Sequence, residues 1–384
     1  MKRKLIVCIN DNLSVLADKG ELIENLYNPG NLFEEVHLFI TNNDKPDLSQ
    51  LIKTAGTADL FLHNLPPPSF KRSLGWQPIF LQRWIKSAID LARSINPDLI
   101  RCQGFNIHAY LAGEVKEALK IPAVVSLHGN PDVDYLRLAK NSFENFYISR
   151  WKKLAESKLL SFDHVIAVYS PILSYLEEKK VRNCSVIYNI VGIGAIPKTD
   201  YRLHERVKCV TVGRQSLDQK DQRDIIRGVA QIENVYLDLF GTGNLHDELD
   251  NLVQELNIKD RILFDSGISN DELMSKLKDY DIYIYNSINY EISKTVMEAA
   301  LVGLPIIHNL RKPALSSELD QDYFYLVENS AEGYLAGIKD LIANQSLREK
   351  LGKQAREAAL KQWSPKMIEN KIVALYTSLI SSKN

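Results

Sequence analysis

The sequence predicts an α/β protein of two doubly wound, Rossmann-like domains that face each other across a cleft. A chain of 384 residues is too long for one ordinary hydrophobic core. Short apolar runs rich in β-forming residues alternate with segments of helical period almost throughout, which is typical of βαβ units. The polar segment 189–206, which contains Gly and Pro, interrupts this alternation and is the best candidate for a linker.

The first half contains seven apolar runs bounded by polar or turn residues. The predicted strands are Leu5–Ile9, Val36–Ile40, Leu60–Leu62, Leu99–Arg101, Ala123–Leu127, Val165–Val168 and Ser185–Ile187. The main helices predicted between them are Ile79–Ser94, His108–Leu119, Ser142–Leu160 and Ile172–Lys179.

The same alternation restarts after the linker. The predicted strands are Lys208–Val212, Val235–Phe240, Arg261–Phe264, Ile282–Tyr285, Ile306–Ile307 and Tyr325–Val327, with helices between them. Two further helices, near Ser346–Gln362 and Pro365–Ile380, close the chain.

Composition limits the classes of function. Hydrophobic residues make up 45% and charged residues 25% of the chain, as in soluble globular proteins. A formal net charge of -1 provides no global field for nucleic acid, so we expect anion binding to be local and expect no nucleic-acid partner. The four cysteines are far apart and lack metal-ligand spacing, so we expect buried thiols in a reducing cytoplasm. The N-terminal apolar run is too short for a signal peptide, and no run is long enough to cross a bilayer.

The stretch from Ile282 to Pro305 predicts a strand, a polar loop and a helix. The helix should begin near Ser293 and end at Gly303, which can adopt the left-handed cap conformation. Its N-terminus would offer N–H groups to an anion, and Glu298, about one turn inside, could accept hydrogen bonds from a vicinal diol such as a ribose. Taken alone, the stretch favours the simpler interpretation of an ordinary strand-loop-helix unit with a surface glutamate.

The loop that follows the strand ending at Val212 carries two cations. Gly213 ends the strand, and Arg214 and Lys220 lie six positions apart. If they converge, they would neutralise a diphosphate and stabilise it as a leaving group. The alternative, which is favoured for any such pair taken in isolation, is that both are solvated loop charges.

Two further strand ends are candidates. His128 follows the apolar strand Ala123–Leu127, at the end that faces the ligand crevice in a parallel sheet, although a lone histidine there is more often structural. Gly241-Thr242-Gly243 indicates a tight strand-to-helix turn but lacks the third glycine of a dinucleotide fingerprint. The scattered Asp-x-Asp pairs support no metal site, and no P-loop or HExxH motif is present.

The stretch Phe70–Lys86 interleaves basic and aromatic residues, and Arg150–Lys153 forms a second patch of this kind. Such a stretch could touch a membrane surface that carries anionic lipid. Trp84 and Ile85 equally fit the core face of an amphipathic helix, which is the favoured interpretation.

Taken together, the order and spacing of these motifs resemble those of the retaining GT-B glycosyltransferases of glycosyltransferase family 4. The resemblance covers most of the chain and is most specific in the second half. The matching motifs are Gly213-Arg214 through Lys220, Asp238 to Gly243, Asp260 to Gly267, Glu298, and Gly303-Leu304-Pro305-Ile306-Ile307.

The resemblance implies roles for individual residues. Arg214 and Lys220, after Gly213, would hold the donor diphosphate, Glu298 would bind the ribose diol, and His128 would contact the transferred sugar. The remaining donor contacts implied are Gly20, Gly267 and Ile268 (the last two beside the nucleobase), and Tyr290, Glu291, Ile292, Ser293, Lys294 and Thr295. The implied domains are an acceptor-side domain at 1–200, a nucleotide-sugar domain at 201–364, and a helix at 365–384 that crosses back to the first domain.

Two positions depart from the family pattern. The first glutamate of the family's pair falls on Tyr290, and Glu291 is one position late, so either residue could take its role. The usual N-terminal loop with two glycines is replaced by Asp11 to Gly20, with a single glycine expected to open a helix and to approach the donor phosphate.

The implied activity is transfer of a sugar from a UDP- or GDP-type donor to an acceptor hydroxyl, without a divalent metal or a cofactor, since the donor is a substrate. The acceptor would be a glycan, a lipid-linked saccharide or a small molecule, and the protein cytoplasmic, with the Phe70–Lys86 patch as a possible peripheral contact. The alternatives are a nucleotide-sugar epimerase or hydrolase and a non-catalytic partner subunit. An NAD-dependent enzyme is the weakest alternative, because the glycine turn is incomplete.

Overall fold

The computed structural model describes residues 2–68, 77–133, 142–216, 220–287, 291–310 and 318–382. The chain forms two compact units. Unit 1 comprises Met1–Tyr188 and Ile368–Asn384, and unit 2 comprises Asn189–Met367. Each unit is built on its own parallel sheet, so the predicted doubly wound α/β class is confirmed.

Unit 1 contains a seven-stranded sheet of order β3-β2-β1-β4-β5-β6-β7, in which every neighbouring pair is parallel. The strands are β1 (Lys4–Ile9), β2 (Glu35–Ile40), β3 (Asp59–Asn64), β4 (Leu99–Gln103), β5 (Ala123–Leu127), β6 (His164–Ala167) and β7 (Cys184–Val186). The helices described in this unit are α1 (Leu13–Asp18), α2 (Leu48–Leu51), α3 (Gln77–Ile95), α4 (Ile107–Leu119), α5 (Ser142–Leu159) and α6 (Ile172–Glu178), with 3₁₀ turns at Pro29–Asn31 and Ile52–Ala55. The strand order reverses between β1 and β4, which is where a doubly wound sheet opens a crevice for ligands.

Unit 2 contains a six-stranded parallel sheet of order β10-β9-β8-β11-β12-β13. The strands are β8 (Val207–Val212), β9 (Val235–Phe240), β10 (Ile262–Asp265), β11 (Ile282–Tyr285), β12 (Ile306–Asn309) and β13 (Phe324–Val327). The helices described here are α7 (Arg223–Ala230), α8 (His246–Glu255), α9 (Asn270–Lys276), α10 (Lys294–Val302), α11 (Ala331–Ala343) and α12 (Gln345–Gln362), with a 3₁₀ turn at Leu277–Asp279. Here the order reverses between β8 and β11, so the loops after these two strands meet at the switch point.

The predicted strands are confirmed, with ends that differ by at most a few residues. β3, for example, extends over Asp59–Asn64 where the apolar run marked only Leu60–Leu62. Polar residues at strand ends join the hydrogen-bonded ladder without contributing to the apolar pattern. Periodicity therefore identifies the strands better than it identifies their ends.

The last helix, α13 (Pro365–Ser381), packs against unit 1 from Ile368 onward. Its Glu369 accepts a hydrogen bond from the Gly30 amide at 2.9 Å, and the buried Tyr376 ring lies 6.3 Å from the Phe33 ring. Gly30 has a positive φ of 65°, and a Cβ there would lie 2.8 Å from Val373, so this turn of unit 1 is shaped to receive the helix.

Arg261 has a structural role. Its guanidinium donates to the carbonyl of Ala230, the last residue of α7, at 3.0 Å and to that of Ile232, just beyond the helix, at 2.5 Å. A cation beside the C-terminal carbonyls of a helix satisfies acceptors that have no partner within the helix. Arg261 therefore stabilises the C-terminal end of α7 within unit 2.

Candidate functional site

The loop after β8 folds back on itself and brings its two cations together. Ser216 and Lys220 form an antiparallel bridge, in which the Lys220 amide donates to the Ser216 carbonyl at 2.8 Å. This turn lays the Lys220 side chain over Gly213, where a Cβ would lie 2.6 Å from Nζ. Arg214 is exposed, and it is close enough for its charge to lower the pKa of Lys220. The glycine is therefore required by the position of the lysine.

The ammonium of Lys220 occupies a confined position. Its Nζ lies 3.3 Å from Ser293 Oγ and 5.1 Å from the centroid of the Tyr285 ring. Burial and, to a smaller extent, the charge of Arg214 lower the pKa of Lys220 to about 8 against an opposing effect of Glu298. A second positive charge and partial loss of hydration both disfavour the charged ammonium. A bound anion would therefore offset the repulsion between the two cations.

The N-terminus of α10 faces the same point. Ser293 is the N-cap and accepts from the Thr295 amide at 3.3 Å, and Gly303, with φ of 89°, is the left-handed C-cap. Thr295 Oγ1 donates to the Val212 carbonyl at 3.1 Å and accepts from Tyr283 at 2.9 Å, which ties α10 to the strand before Arg214. The predicted helix and both of its caps are confirmed.

Glu298 is almost fully buried in the second turn of α10. Its Oε1 accepts a hydrogen bond from Asn270 Nδ2 at 3.1 Å. Asn270 begins α9, directly after the loop that contains the predicted residues Gly267 and Ile268. In that loop Gly267 is exposed and Ile268 is half-buried.

The turn after β9 supports the cation loop through close backbone contacts. A Cβ at Gly241 would lie 2.2 Å from the Gly213 carbonyl oxygen, and one at Gly243 would lie 1.9 Å from the Gln215 carbonyl oxygen. Gln215 is buried, and its backbone N–H donates to the Thr242 carbonyl at 3.0 Å. The predicted tight turn is confirmed, and its glycines serve packing between two loops.

The structure describes most of the other residues predicted to contact the donor between β11 and α10. Tyr290 lies outside the described residues. Glu291 is half-buried, Ile292 is buried and Lys294 is exposed. The assignment of the first-glutamate role to Tyr290 or Glu291 stays a prediction.

In unit 1, His128 follows β5 as predicted and is exposed. Its Nε2 lies 3.0 Å from Ser126 Oγ, and Ser126 in turn accepts from the Gly104 amide at 3.4 Å, at the end of β4. His128 therefore lies at the carboxyl edge of the sheet, after β5, which pairs with the switch-point strand β4.

The prediction that Gly20 opens a helix is wrong. Asn12 caps the N-terminus of α1, and Gly20, with φ of 68°, follows the C-terminus, where its amide donates to the Ala17 carbonyl at 3.0 Å. The C-terminal end of a helix carries partial negative charge and does not favour a phosphate. At the other end, the Ser14 amide and hydroxyl already donate to the Asp44 carboxylate, at 3.0 and 2.6 Å.

Sequence reasoning missed Asn270 and Gln215. The pattern Ser269-Asn270-Asp271-Glu272 does mark a helix start, and the Glu272 amide indeed donates to Ser269 Oγ at 3.3 Å. This local pattern cannot predict the contact of Asn270 with Glu298, which lies 28 positions further along the chain.

Among the residues that the structure describes, no group of three or more His, Cys, Asp or Glu side chains is arranged to hold a metal ion. Nor does any helix among them have the length and apolar character needed to span a bilayer.

Solved structures share this architecture. Sucrose-phosphate synthase from Thermosynechococcus elongatus matches with a TM-score of 0.73 at 18% sequence identity, over 99% of this chain and 100% of that chain. Alr3699/HepE from Anabaena, in complex with UDP and glucose, matches with a TM-score of 0.69 at 15% identity, over 98% and 100% of the two chains. The protein therefore has the GT-B fold of glycosyltransferases.

Family models agree with the fold. Residues 201–358 match the glycosyl transferases group 1 model, and residues 33–193 match the glycosyltransferase family 4 model. The two matches together span most of the chain, and both models describe glycosyltransferase domains.

A curated relative is the lipopolysaccharide core biosynthesis glycosyltransferase LpsE from Rhizobium meliloti strain 1021. It is 25% identical over 207 residues, which are 53% of this chain and 59% of LpsE. The match thus spans somewhat more than half the length of this relative.

Proposed function

We propose that this chain is a retaining glycosyltransferase that moves a sugar from a nucleotide diphosphate sugar to an acceptor hydroxyl. The observation that supports it best is the grouping of Arg214, Lys220 and the Ser293-capped N-terminus of α10 around one point, with the buried Glu298 in the same helix. Two cations and a helix N-terminus suit a diphosphate. A carboxylate suits a ribose diol, because its oxygens accept hydrogen bonds.

In the proposed reaction, the bond between the anomeric carbon and the phosphate oxygen breaks, and the acceptor oxygen bonds to that carbon on the same face. The nucleoside diphosphate leaves with the bonding electrons, and its phosphate oxygen takes the acceptor proton. Arg214 and Lys220 stabilise the charge that develops on the leaving group. This route needs neither a carboxylate nucleophile beneath the anomeric carbon nor a metal ion.

The other assignments complete the proposal. His128 contacts the transferred sugar, the segment Glu291–Thr295 contacts sugar hydroxyls and phosphate, and Gly267 and Ile268 border the base. The UDP bound to Alr3699/HepE supports a uridine donor, with a guanosine donor as the alternative. The name of LpsE supports an acceptor in glycan or lipopolysaccharide synthesis.

The test is a screen of UDP-, GDP- and ADP-sugars for release of the nucleoside diphosphate, with and without pooled saccharide and lipid-linked acceptors. We expect one base to dominate and release to depend on acceptor, with the product keeping the donor's anomeric configuration by NMR. An inverted product would contradict the retaining route. Arg214→Ala and Lys220→Ala should abolish release without loss of fold, and full activity in both would refute the proposal.

The same screen distinguishes the alternatives. Free sugar or an epimer formed without acceptor would indicate a nucleotide-sugar hydrolase or epimerase. A chain that binds none of the nucleotides, as judged by thermal shift, would be a non-catalytic partner subunit.

We also propose that α3 touches the inner face of an anionic membrane. Trp84 and Ile85 are buried, as the core interpretation predicted, whereas Ile79 and Phe80 are 58% and 48% exposed. Ile79, Arg83 and Lys86 share one helical face by their spacing of four and three residues, and both cations are exposed. The part of the patch before Gln77 lies outside the described residues.

Replacing Ile79 and Phe80 by serine should lower binding to anionic phosphatidylglycerol vesicles by about tenfold or more, because each apolar side chain gains about 1.5–3 kcal/mol on full burial. Co-sedimentation of the protein with the vesicles measures this binding. Leu160→Ser, which removes another exposed apolar side chain of unit 1, is the matched control and should bind as the wild type does. Equal binding of the double variant would refute the membrane contact.

A further inference from the structure

Asn270 joins two elements of the site that the chain keeps far apart in sequence. It is the first residue of α9, fixed there by Ser269, whose hydroxyl accepts from the Glu272 amide at 3.3 Å. Its side-chain amide donates to Oε1 of Glu298, on α10, at 3.1 Å. The loop assigned to the base and the helix assigned to the ribose are thus linked by one hydrogen bond between side chains.

The chemical nature of this donor matters. Glu298 is 3% exposed, and a carboxylate in that position needs hydrogen bonds to offset its loss of hydration. A lysine or arginine in place of Asn270 would form an ion pair and offset the negative charge. A neutral amide instead orients the carboxylate and leaves its charge available to a hydroxyl donor.

The position of the donor matters as well. Asn270 is the first residue of the Ser269-capped helix α9 rather than part of the preceding loop, so its amide approaches Oε1 from a backbone position that the helix defines. Hydrogen bonds from ribose hydroxyls to a carboxylate are strong only when the geometry is right. A carboxylate that rotates freely would lose much of its preference for a diol.

We propose that Asn270 is a positioning residue that orients the Glu298 carboxylate toward the ribose diol and so makes the site discriminate ribonucleotides from deoxyribonucleotides. The inference rests on the proposed function, which assigns Glu298 to the ribose. It predicts a coupling between residue 270 and one hydroxyl group of the ligand. A purely structural residue would show no such coupling.

The test compares binding of a nucleoside diphosphate and of its 2′-deoxy analogue by isothermal titration calorimetry, with the base that the donor screen selects. The wild type should prefer the ribonucleotide by about tenfold or more, the usual worth of a hydrogen bond to a charged group. In Asn270→Ala this ratio should fall severalfold, because the ribonucleotide binds more weakly while the affinity for the deoxy analogue stays nearly the same. Asn270→Ser provides a second variant that keeps a polar residue at the helix start.

Two further variants make the outcome interpretable. Asp271→Ala changes the next residue of α9, which is exposed, and should keep the wild-type ratio. Glu298→Ala should bring the ratio close to one. If Glu298→Ala leaves the ratio unchanged, the ribose assignment in the proposed function fails.

If Glu298→Ala removes the preference but both Asn270 variants keep it, the proposed function stands and the positioning role is refuted. An equal loss of affinity for both nucleotides in the Asn270 variants would also refute it, since that result indicates a general change in the loop. Thermal melting of each variant shows whether it has folded. If neither Asn270 variant folds, residue 270 has a structural role and the inference is overturned.

Discussion

Lys220→Met is expected to lower turnover by about 10²- to 10³-fold, the usual effect of removing one group that stabilises transition-state charge. The same substitution should raise the stability of the ligand-free protein. The ammonium is held in a partly dry position beside Arg214, which is why its pKa falls from 10.5 to about 8. A shift of this size corresponds to a destabilisation of the order of 1–3 kcal/mol that methionine would remove. Activity and stability should therefore change in opposite directions.

The sign of the pH dependence follows from the lowered pKa. Below about pH 8 the lysine is charged in both the folded and the unfolded chain, so the destabilisation is fully present. Between about 8 and 10.5 the folded protein releases this proton first, so the stability of the wild type should approach that of Lys220→Met as pH rises. Chemical denaturation measures the difference in the free energy of unfolding between Lys220→Met and the wild type at pH 7 and at pH 9.5.

Binding of a diphosphate should increase the protonation of Lys220. An anion beside Lys220 raises the pKa of its ammonium, so binding near pH 8.5 should take up protons from the buffer. Calorimetry in two buffers of different ionisation enthalpy measures this uptake, which should disappear in Lys220→Met. The control is Lys208→Met, which removes an exposed cation of the same sheet and should change neither turnover nor proton uptake. Unchanged turnover in Lys220→Met would refute the role of this lysine.

Gly243→Ala should impair both folding and donor binding although residue 243 contacts no ligand in the proposed site. The added Cβ would lie 1.9 Å from the Gln215 carbonyl oxygen, which is backbone and cannot rotate away. Because Gln215 follows Arg214 directly, relief of this clash must shift the loop that holds the diphosphate. We expect a loss of about 1–3 kcal/mol in the free energy of unfolding, typical of overpacking. Donor affinity should fall by about tenfold, as expected for a small misplacement of a positioned group.

Gly194→Ala is the matched control for this prediction. Gly194 has φ of 78°, and a Cβ there would meet nothing within 4 Å, so the substitution tests backbone strain alone. It should cost about 1 kcal/mol or somewhat more in stability and leave donor affinity unchanged. If Gly243→Ala binds donor as tightly as Gly194→Ala does, then the β9 turn does not control the cation loop. Calorimetry and denaturant unfolding of the two variants decide the matter.

The elements of this protein and their order can be predicted from local patterns in its amino-acid sequence. Strands such as β8 and β11 were evident because buried parallel strands are continuous apolar runs. The helix α10 was evident because its cap residues, Ser293 and Gly303, act within a turn or two of the chain. Arg214, Lys220 and Glu298 became candidates because each follows a strand at the edge where a parallel sheet binds ligands.

Which of these groups meet depends on the tertiary structure. Lys220 lies over Gly213 because residues 216 and 220 form a bridge, and Asn270 contacts Glu298 because the N-terminus of α9 lies beside α10. Gly20 was misplaced because one glycine is compatible with either end of a short helix, and the caps at Asn12 and Gly20 decide between them. Local patterns reflect interactions within a few residues, whereas the convergence of side chains depends on strand order and packing, which no local pattern contains.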